Sequence, residues 1–312
     1  MDLTERKMMI EKLESRSLLS FSLFGNSSFI GPTSPIHAVS QPHAPLSATA
    51  TPIVAGYYDG INVNTSQDAS KVIPVLRSLN VKGVRLFLGM KTWNHRGNGQ
   101  DFLQAKKYRD AGFKVMMQVG TPDVPSESQA VGLFKWMKSK TGFSSVNMFQ
   151  IGNEPNHYKS FHGSLQDYIK VLKIAWSELH PTGAKIVGAG PTYDVEACKK
   201  LKALGYLNYV DYAAFHPYGN SANQVIERLQ GARSVFSAKP LVVSEWNIRG
   251  QKTYDAWANE IAKARKDMNK WCNASYYFCL VKCNTMAGPA GVITTSWNKN
   301  NPFYSAVQNS FK

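Results

Sequence analysis

The sequence contains few cysteines and no long apolar run. The four cysteines are Cys198, Cys272, Cys279 and Cys283, and neither a Cys-x-x-Cys pair nor a histidine cluster at metal-ligand spacing is present. A zinc site is therefore not expected. Disulfides, such as one between Cys272 and Cys283, and buried free thiols are both compatible with this pattern. Because no run of about 18 apolar residues occurs, we expect no transmembrane helix.

Acidic residues are also scarce. The chain has 21 acidic and 36 basic residues, which gives a formal net charge of +15. The charges balance within the first 50 residues, so the excess lies in the rest of the chain. Such a charge attracts polyanions, but the lysines are scattered and no nucleic-acid-binding motif accompanies them. The two interpretations are a solvated basic surface and the binding of an anionic polysaccharide, and no nucleic-acid partner is expected.

The N-terminal segment, residues 1–52, does not resemble a folded unit. Its five prolines fall among serine, alanine, threonine and histidine, a composition that predicts a disordered linker. Ahead of the prolines, Leu13-Glu14-Ser15-Arg16-Ser17-Leu18-Leu19-Ser20 resembles the Leu-Glu-x-Arg-x-Leu-Leu-Ser segment at the start of many exported bacterial proteins. This resemblance implies a secreted or cell-surface protein, with or without cleavage of the segment. The alternative is an amphipathic N-terminal helix.

From residue 53 onwards, apolar strand-like runs alternate with helix-like stretches. The predicted strands are residues 53–58, 81–88, 113–119, 148–154, 185–190, 210–216, 241–245 and 274–281. The predicted helices are residues 68–79, 100–111, 126–140, 164–180, 194–204, 221–236, 254–271 and 302–311. Ser126 and Gln129 stand at capping-box spacing at the start of the third helix.

Eight strands, each followed by a helix or room for one, suit parallel strands joined by right-handed crossovers. The α/β fold class that fits best is a single (β/α)8 TIM barrel over residues 53–312, preceded by the disordered N-terminal segment. An open doubly wound sheet is the alternative. It usually carries a glycine-rich phosphate turn after the first strand, and Asp59-Gly60-Ile61-Asn62-Val63 is not such a turn.

Two glutamates each end an apolar run, Glu154 after the fourth predicted strand and Glu245 at the end of the seventh. In a TIM barrel the active site lies at the C-terminal ends of the strands, so the two carboxylates are expected to meet there. Hydrolysis of a glycosidic bond needs one carboxyl group as proton donor and another as nucleophile or base. The pair therefore favours a glycosidase.

Four short motifs extend this interpretation. They are Val84-Arg85-Leu86-Phe87, Gly152-Asn153-Glu154-Pro155, Phe215-His216-Pro217-Tyr218-Gly219 and Ser244-Glu245-Trp246. In this order and on these strands they resemble the signatures of the retaining glycoside hydrolases of clan A, nearest to family 39 or family 5. The resemblance covers most of residues 53–281 and implies neither a metal nor an organic cofactor.

The resemblance also implies roles for individual residues. Glu154 corresponds to the acid/base and Glu245 to the nucleophile. Asn153 would bind the sugar 2-hydroxyl, and Tyr218 would hydrogen-bond Glu245.

Further candidates for substrate contacts lie around the same strand ends. Arg85 would lie beside Glu245, and His216 would line the subsite near the acid/base. Asn156 is another polar candidate. The indoles of Trp93 and Trp246 either stack on a sugar or pack in the core.

Electrostatics lead to the same assignment. A nearby Arg85 cation is expected to lower the pKa of Glu245 and keep it ionised for attack. The negative charge of Glu245 is expected to raise the pKa of Glu154, so that Glu154 holds a proton at the working pH.

The sequence departs from the clan pattern at the end of the eighth strand, which reads Tyr276-Tyr277-Phe278-Cys279-Leu280-Val281 without the usual tryptophan. Trp297 is a candidate replacement from a loop. We expect a monomer that hydrolyses a polysaccharide or oligosaccharide. The alternatives are a transglycosylase with the same residues and a non-catalytic carbohydrate-binding barrel.

Overall fold

The computed structural model describes residues 56–94, 97–250, 253–281, 292 and 302–310. The predicted N-terminal linker and export-like segment at 1–52 lie outside the described residues, as do Cys283 and Trp297. The domain boundary after residue 52 and the export signal stay predictions. In the described part of the chain, no helix combines the length and the apolar character that a membrane crossing requires.

Eight parallel strands form the centre of the fold. They are β1 (Tyr58–Asn62), β2 (Gly83–Phe87), β3 (Lys114–Val119), β4 (Met148–Ile151), β5 (Lys185–Gly188), β6 (Ala213–Phe215), β7 (Leu241–Trp246) and β8 (Ala274–Tyr277).

The strands pair in the order β5-β4-β3-β2-β1-β8-β7-β6. The two end strands approach each other through a parallel bridge between Val187 and Tyr212, where the Gly188 amide donates to the Tyr212 carbonyl at 3.1 Å. The sheet is therefore a nearly closed barrel. The TIM-barrel prediction is confirmed and the open-sheet alternative is wrong.

Helices separate the strands and cover the outside of the barrel. The described α-helices are α1 (Ala69–Ser78), α2 (Gln100–Asp110), α3 (Glu127–Lys138), α4 (Leu165–Leu179), α5 (Val195–Ala203), α6 (Ala222–Val235), α7 (Tyr254–Met268) and α8 (Pro302–Ser310). Ser126 and Gln129 form the predicted capping box at the start of α3. This cap satisfies backbone N–H groups that the first helical turn leaves unpaired.

The first strand lies further along the chain than predicted. The prediction was residues 53–58, whereas β1 is Tyr58–Asn62. Asp59 and Asn62 read as turn residues in the sequence, but both are paired inside the protein. The Asp59 carboxylate accepts a hydrogen bond from Arg265 at 2.8 Å, and the Asn62 amide donates to the backbone carbonyls of Ser244 on β7 and Tyr277 on β8. Polar residues whose bonds are satisfied can occupy a buried strand.

The barrel interior has an apolar layer beneath a polar layer. The apolar layer comprises Met116, Met148, Val187, Ala214, Val242, Ala274 and Tyr276. Toward the C-terminal ends of the barrel strands the buried side chains are polar: Asn62, Arg85, Gln150, His216, Ser244 and Glu245. The apolar layer closes the barrel, so a ligand can approach the polar layer only from the C-terminal face.

The described cysteines are free thiols: Cys198, Cys272 and Cys279. Burial raises the pKa of the Cys198 and Cys272 thiols. The buried-thiol alternative therefore holds for Cys272, and the other half of the suggested bridge, Cys283, lies outside the described residues.

Candidate active site

The two predicted carboxylates meet at the C-terminal end of the barrel. Glu245 lies within β7, and Glu154 follows the end of β4. A carboxylate oxygen of each residue and a ring nitrogen of His216 all lie within 4.8 Å of one another. Strand ends that are 91 positions apart in the sequence are thus brought into one site, as the barrel prediction required.

A register shift in β7 directs Glu245 into the barrel. The pairing of β7 with β8 is irregular between Val243 and Trp246. Side chains on a regular strand alternate between its two faces, yet Ser244 and Glu245 both contact residues of the barrel interior. Such an irregularity turns successive side chains to the same side. It also turns Trp246 outward, into the layer between barrel and helices.

Arg85 is the cation of the site. Its guanidinium donates from Nη1 to Glu245 Oε1 at 2.5 Å, and its side chain is fully buried. It also donates to Asn62 Oδ1 at 2.7 Å, Gln150 Oε1 at 2.6 Å and Asn153 Oδ1 at 2.9 Å. Four acceptors satisfy and orient the buried guanidinium, which then holds the Glu245 carboxylate in place. Being covered, Arg85 reaches a sugar only through these partners.

Tyr218 is the second donor to Glu245. Its hydroxyl lies 2.6 Å from Glu245 Oε2. Burial, together with the nearby charges of Glu245 and Glu154, raises the pKa of Tyr218 well above its usual value. The phenol therefore stays protonated and donates. Each oxygen of the Glu245 carboxylate is bound by a different donor, which fixes its orientation.

Glu154 has a different environment. Its Oε1 lies 3.0 Å from Nδ1 of the fully buried His216, and its Oε2 accepts from the Ser160 hydroxyl at 3.1 Å. His157 Nδ1 lies 3.9 Å from the same carboxylate. The Glu154 backbone has φ of +36°, a left-handed conformation that is uncommon outside glycine. Backbone strain of this kind often occurs at functional sites.

The pKa of Glu154 differs from the expectation. Burial raises it, but the hydrogen bonds that His216 and Ser160 donate, with His157 nearby, lower it more, so the pKa is lowered overall. The negative charge of Glu245, taken alone, predicts a raised pKa for Glu154. The direction is reversed because His216 and Ser160 donate to the carboxylate.

Two buried residues that the sequence did not single out connect the glutamates. The Gln150 amide lies 2.9 Å from the Ser244 hydroxyl, and that hydroxyl lies 2.8 Å from Nε2 of His216. Together with Asn62 they form the inner layer behind the two glutamates. A single polar residue inside an apolar run was their only signal in the sequence, since buried polar groups are normally hydrogen-bonded.

Gly190 leaves room for the His216 ring. A Cβ atom at this position would lie 2.7 Å from His216 Cδ2 and 2.9 Å from Nε2. Any larger residue would push the ring away from Glu154 and Ser244.

Asn153 is placed to serve a ligand. Its Oδ1 accepts from Arg85 at 2.9 Å. Because arginine has no acceptor, this contact orients the amide and leaves its nitrogen as the free donor. The half-buried position of Asn153 beside Glu154 fits the predicted contact with a sugar hydroxyl.

Three other candidates are engaged elsewhere. Asn156 brackets the backbone of Thr192, accepting from its N–H at 3.0 Å and donating to its carbonyl at 3.2 Å. Trp93 is 3% exposed, and its indole donates to the Asp123 carbonyl at 2.8 Å. Trp246 is fully buried against the edge of Tyr277. Neither indole has a free ring face, so both tryptophans pack in the core and cannot stack on a sugar.

Phe278 occupies the end of β8, where the resemblance led us to expect a tryptophan. It packs edge-on against Tyr218 at 6.5 Å between ring centroids. Tyr218, Phe278, Cys279 and Phe87 form an apolar cluster at this side of the site. The role considered for Trp297 lies outside the described residues.

The triad of Glu154, His216 and Glu245 is close enough to hold a cation. Protein donors already occupy these groups, however. Arg85 and Tyr218 bind Glu245, and His216 and Ser160 face Glu154. A cation would have to displace the buried Arg85 charge, so the donor set does not fit a resident metal.

No protein-family model matches the sequence, and the search of curated proteins found no match either. Solved structures do match. A GH128 (subgroup II) endo-β-1,3-glucanase from Sorangium cellulosum has a TM-score of 0.62 at 15% identity, covering 81% of this chain and 98% of that one. An active-site mutant of a Rhizomucor miehei β-1,3-glucanosyltransferase in complex with laminaritriose has a TM-score of 0.59 at 14% identity, with 78% and 94% covered.

An endo-1,4-β-mannanase from Rhizomucor miehei has a TM-score of 0.56 at 14% identity, covering 82% of this chain and 94% of that one. At these identities the likeness establishes the fold. The neighbours are glycoside hydrolases and a glucanosyltransferase built on the same barrel. The nearest family, 39 or 5, stays a prediction.

Proposed function

We propose that the chain is a retaining glycoside hydrolase with Glu245 as nucleophile and Glu154 as acid/base. The observation that carries the proposal is the closeness of the two carboxylates, since an oxygen of one lies within 4.8 Å of an oxygen of the other. Retaining enzymes place these groups about 5–5.5 Å apart, whereas inverting enzymes need about 6.5–9.5 Å to hold a water between them.

The different contacts of the two glutamates support Glu245 as the nucleophile and Glu154 as the acid/base. Glu245 contacts a permanent cation, Arg85, and a protonated phenol, Tyr218. These two donors fix the orientation of the Glu245 carboxylate. Glu154 instead contacts the His216 imidazole and the hydroxyl of Ser160, and among the described residues no lysine or arginine forms an ion pair with it. Glu154 is thus the residue whose proton can be lost and regained during a cycle.

The proposed reaction has two steps. In the first, a Glu245 oxygen forms a bond to the anomeric carbon, the glycosidic bond breaks, and the Glu154 proton passes to the leaving oxygen. In the second, the ionised Glu154 takes a proton from water, the water oxygen bonds to the anomeric carbon, and the bond to Glu245 breaks. Glu154 ends protonated and Glu245 ionised, as at the start.

For the substrate we propose a β-linked polysaccharide, with β-1,3-glucan to be tested first. The support is the set of structural neighbours, which includes a β-1,3-glucanase and a glucanosyltransferase bound to laminaritriose. A mannanase with the same barrel makes β-mannan the second polymer to test.

We further propose that this polysaccharide carries an anionic substituent. The exposed Arg249 places its guanidinium 4.7 Å from the Tyr218 ring centroid, and the half-buried Arg228 donates to the Tyr218 carbonyl. Among the described residues, neither arginine forms an ion pair with a carboxylate. Their charge lies beside Tyr218, the residue that donates to Glu245, where it can attract an acidic sugar. Equal cleavage of neutral and uronate-bearing polymers would refute this detail.

The test compares Glu154→Ala and Glu245→Ala with wild type on aryl β-glycosides and a polysaccharide panel. Both variants should lose most activity, whereas Glu227→Ala, on the exposed face of α6, should keep it. With azide present, Glu245→Ala should form a glycosyl azide of inverted configuration, and Glu154→Ala one of retained configuration. Full activity in either active-site variant excludes the assignment. Inactive wild type that still binds glycans favours the non-catalytic barrel.

Transglycosylation is the second candidate function. It uses the same residues, with a sugar hydroxyl replacing water in the second step, and a structural neighbour is a glucanosyltransferase. Product chains longer than the starting oligosaccharide at high substrate concentration would favour this candidate. Hydrolysis products alone would exclude it.

We also propose that the protein is exported. The support is the export-like segment Leu13 to Ser20 in the sequence. Fractionation of the producing cells should place the chain outside the cytoplasm, and deletion of residues 1–52 should retain it inside. A cytoplasmic full-length chain contradicts the proposal.

A monomer is the proposed oligomeric state. The proposal is supported by the contacts to Glu245 and Glu154 from Arg85, Tyr218, His216 and Ser160, which are all formed within the chain. Sedimentation equilibrium should give a mass near 34.7 kDa. A dimeric mass at low concentration contradicts the proposal.

A further inference from the structure

We propose that Gln150 and Ser244 are positioning residues that hold His216 as the neutral tautomer protonated on Nδ1, and so link the Arg85–Glu245 pair to Glu154. This inference concerns the inner layer of the site rather than groups that touch a substrate. Its kinetic consequences rest on the proposed roles of Glu154 and Glu245, but the tautomer itself does not.

Arg85 fixes the orientation of the Gln150 amide. Its Nε–H donates to Gln150 Oε1 at 2.6 Å, and a guanidinium can only donate. The amide nitrogen of Gln150 points the other way and lies 3.4 Å from the Gly188 carbonyl oxygen. A reversed amide would place its nitrogen against the guanidinium and its oxygen against that carbonyl. Two independent neighbours thus select the same orientation.

The Gln150 amide in turn fixes the Ser244 hydroxyl. The amide nitrogen has no acceptor capacity, so it donates to Ser244 Oγ across 2.9 Å. Among the residues that the structure describes, the remaining neighbour of this hydroxyl is Nε2 of His216 at 2.8 Å. Gln150, Ser244 and His216 are fully buried, so water does not offer an alternative acceptor. The hydroxyl proton therefore points at Nε2.

A ring nitrogen that accepts a hydrogen bond carries no proton. With Nε2 as acceptor, the neutral imidazole has its proton on Nδ1, which lies 3.0 Å from Glu154 Oε1 and donates to it. Every bond in the series therefore runs in one direction, from Arg85 through Gln150, Ser244 and His216 to Glu154. The permanent charge of Arg85, which also binds Glu245, sets that direction.

The imidazolium form of His216 has both supporting and opposing groups. Glu154 at 3.0 Å and Glu245 at 3.9 Å favour the charged ring. A proton on Nε2, however, would face the Ser244 hydroxyl and leave the hydroxyl proton of Ser244 without an acceptor. A buried unsatisfied donor is costly. The chain of donors that begins at Arg85 therefore favours the neutral ring.

The fixed tautomer favours the ionised form of Glu154. Removing the Ser244 hydroxyl frees Nε2, so the ring can take the other tautomer, in which Nδ1 accepts a hydrogen bond from the protonated Glu154 carboxyl. The acid form of Glu154 then becomes easier to keep. In Ser244→Ala we expect the basic limb of the kcat/KM pH profile to move up by about one pH unit, the order of one hydrogen bond to a charged group. Ser244→Thr, which keeps the hydroxyl, should restore the wild-type profile.

The direct test is 15N NMR of the histidine rings in the full chain. The chain has seven histidines, and His216 is identified by the signal lost in His216→Gln. Wild type should show a neutral His216 ring protonated on Nδ1, and Ser244→Thr the same. Ser244→Ala should gain the Nε2–H form. Ser234→Ala, a surface serine on α6, is the matched control and should match wild type.

A wild-type His216 ring that is protonated on Nε2, or doubly protonated at neutral pH, overturns the proposal. An unchanged tautomer in a folded Ser244→Ala does the same. If Ser244→Ala does not fold, Gln150→Glu replaces it. A carboxylate at position 150 accepts from the serine, so the Nε2–H or doubly protonated ring should then appear, and an unchanged ring overturns the proposal. The spectra need no substrate, so their outcome is separate from failure of the glycosidase assignment.

Discussion

Arg85 donates from Nη1 to Glu245 Oε1 across 2.5 Å, and no part of the arginine side chain is exposed. A buried ion pair is costly to form, but removing one member leaves the other charge without compensation. Arg85 also donates to three further acceptors, so the several N–H groups of its guanidinium contribute hydrogen bonds in addition to its charge. The pair therefore both stabilises the barrel interior and orients the proposed nucleophile.

Replacing Arg85 should lower both activity and stability. Arg85→Met removes the cation from buried Glu245, and the free energy of unfolding should fall by about 3–5 kcal/mol. Arg85→Lys keeps the charge but cannot reach all four acceptors, so kcat/KM should still fall by at least about tenfold. Urea unfolding and steady-state kinetics measure these effects. Arg109→Ala, an exposed arginine on α2, should change neither, and an Arg85→Lys enzyme with wild-type kcat/KM contradicts this role.

Tyr218→Phe isolates the second donor to Glu245. The change removes a hydroxyl at 2.6 Å and keeps the ring that packs against Phe278. Loss of a hydrogen bond to a charged group costs about 1.5–3 kcal/mol, so kcat/KM should fall by about 10- to 150-fold. The loss should be in kcat if the bond orients the nucleophile for attack. Unchanged kcat with a raised KM would place Tyr218 in substrate binding instead.

The lowered pKa of Glu154 predicts activity at acid pH. As the proposed acid, Glu154 must be protonated, and its acid form disappears as the pH rises through a pKa below the usual value of about 4.3. The basic limb of the kcat/KM profile, which reports the free enzyme, should therefore lie at acid pH. A kcat/KM profile still rising above pH 7 contradicts the structure's account of Glu154.

The same carboxyl should make stability depend on pH. A carboxyl whose pKa is lowered on folding contributes stability above its unfolded pKa, and this contribution is lost as the pH falls through the folded pKa. The wild type should therefore lose stability relative to Glu154→Gln as the pH falls from about 5 to 3. Thermal unfolding of both proteins across this range measures the difference. A constant difference would show that the pKa of Glu154 is not lowered on folding.

Most of the fold could be predicted from the sequence because its strands are short apolar runs bounded by polar residues. Glu154 and Glu245 stood out because each ends such a run. The first strand was misplaced because Asp59 and Asn62 resemble turn residues, and their partners lie far along the chain. Arg265, which pairs with Asp59, comes from α7.

The inner layer of the site could not be predicted for a related reason. Gln150 and Ser244 each appear as one polar residue in an apolar run, and nothing local shows that the two side chains meet at 2.9 Å. Strand alternation would also place Ser244 and Glu245 on opposite faces. The irregularity between Val243 and Trp246 turns both inward, and the pairing of β7 with β8 reveals it only in three dimensions.

The direction of the Glu154 pKa shift could not be predicted from the sequence either. It depends on which groups donate to the carboxylate, and two of these are Ser160 and His216, from the loop after β4 and the end of β6. Charge alone predicted the opposite direction. The sign of the Glu154 pKa shift therefore depends on the geometry of individual hydrogen bonds.

The central claim is that Glu245 bonds to the anomeric carbon. The most direct measurement uses the 2-deoxy-2-fluoro analogue of whichever aryl β-glycoside the enzyme cleaves, because the fluorine slows turnover of a covalent intermediate more than its formation when the leaving group is good. Mass spectrometry of the peptides should find one added fluorosugar, on Glu245, and none in Glu245→Gln. An adduct on Glu154, or first-formed products of inverted anomeric configuration, would contradict the account.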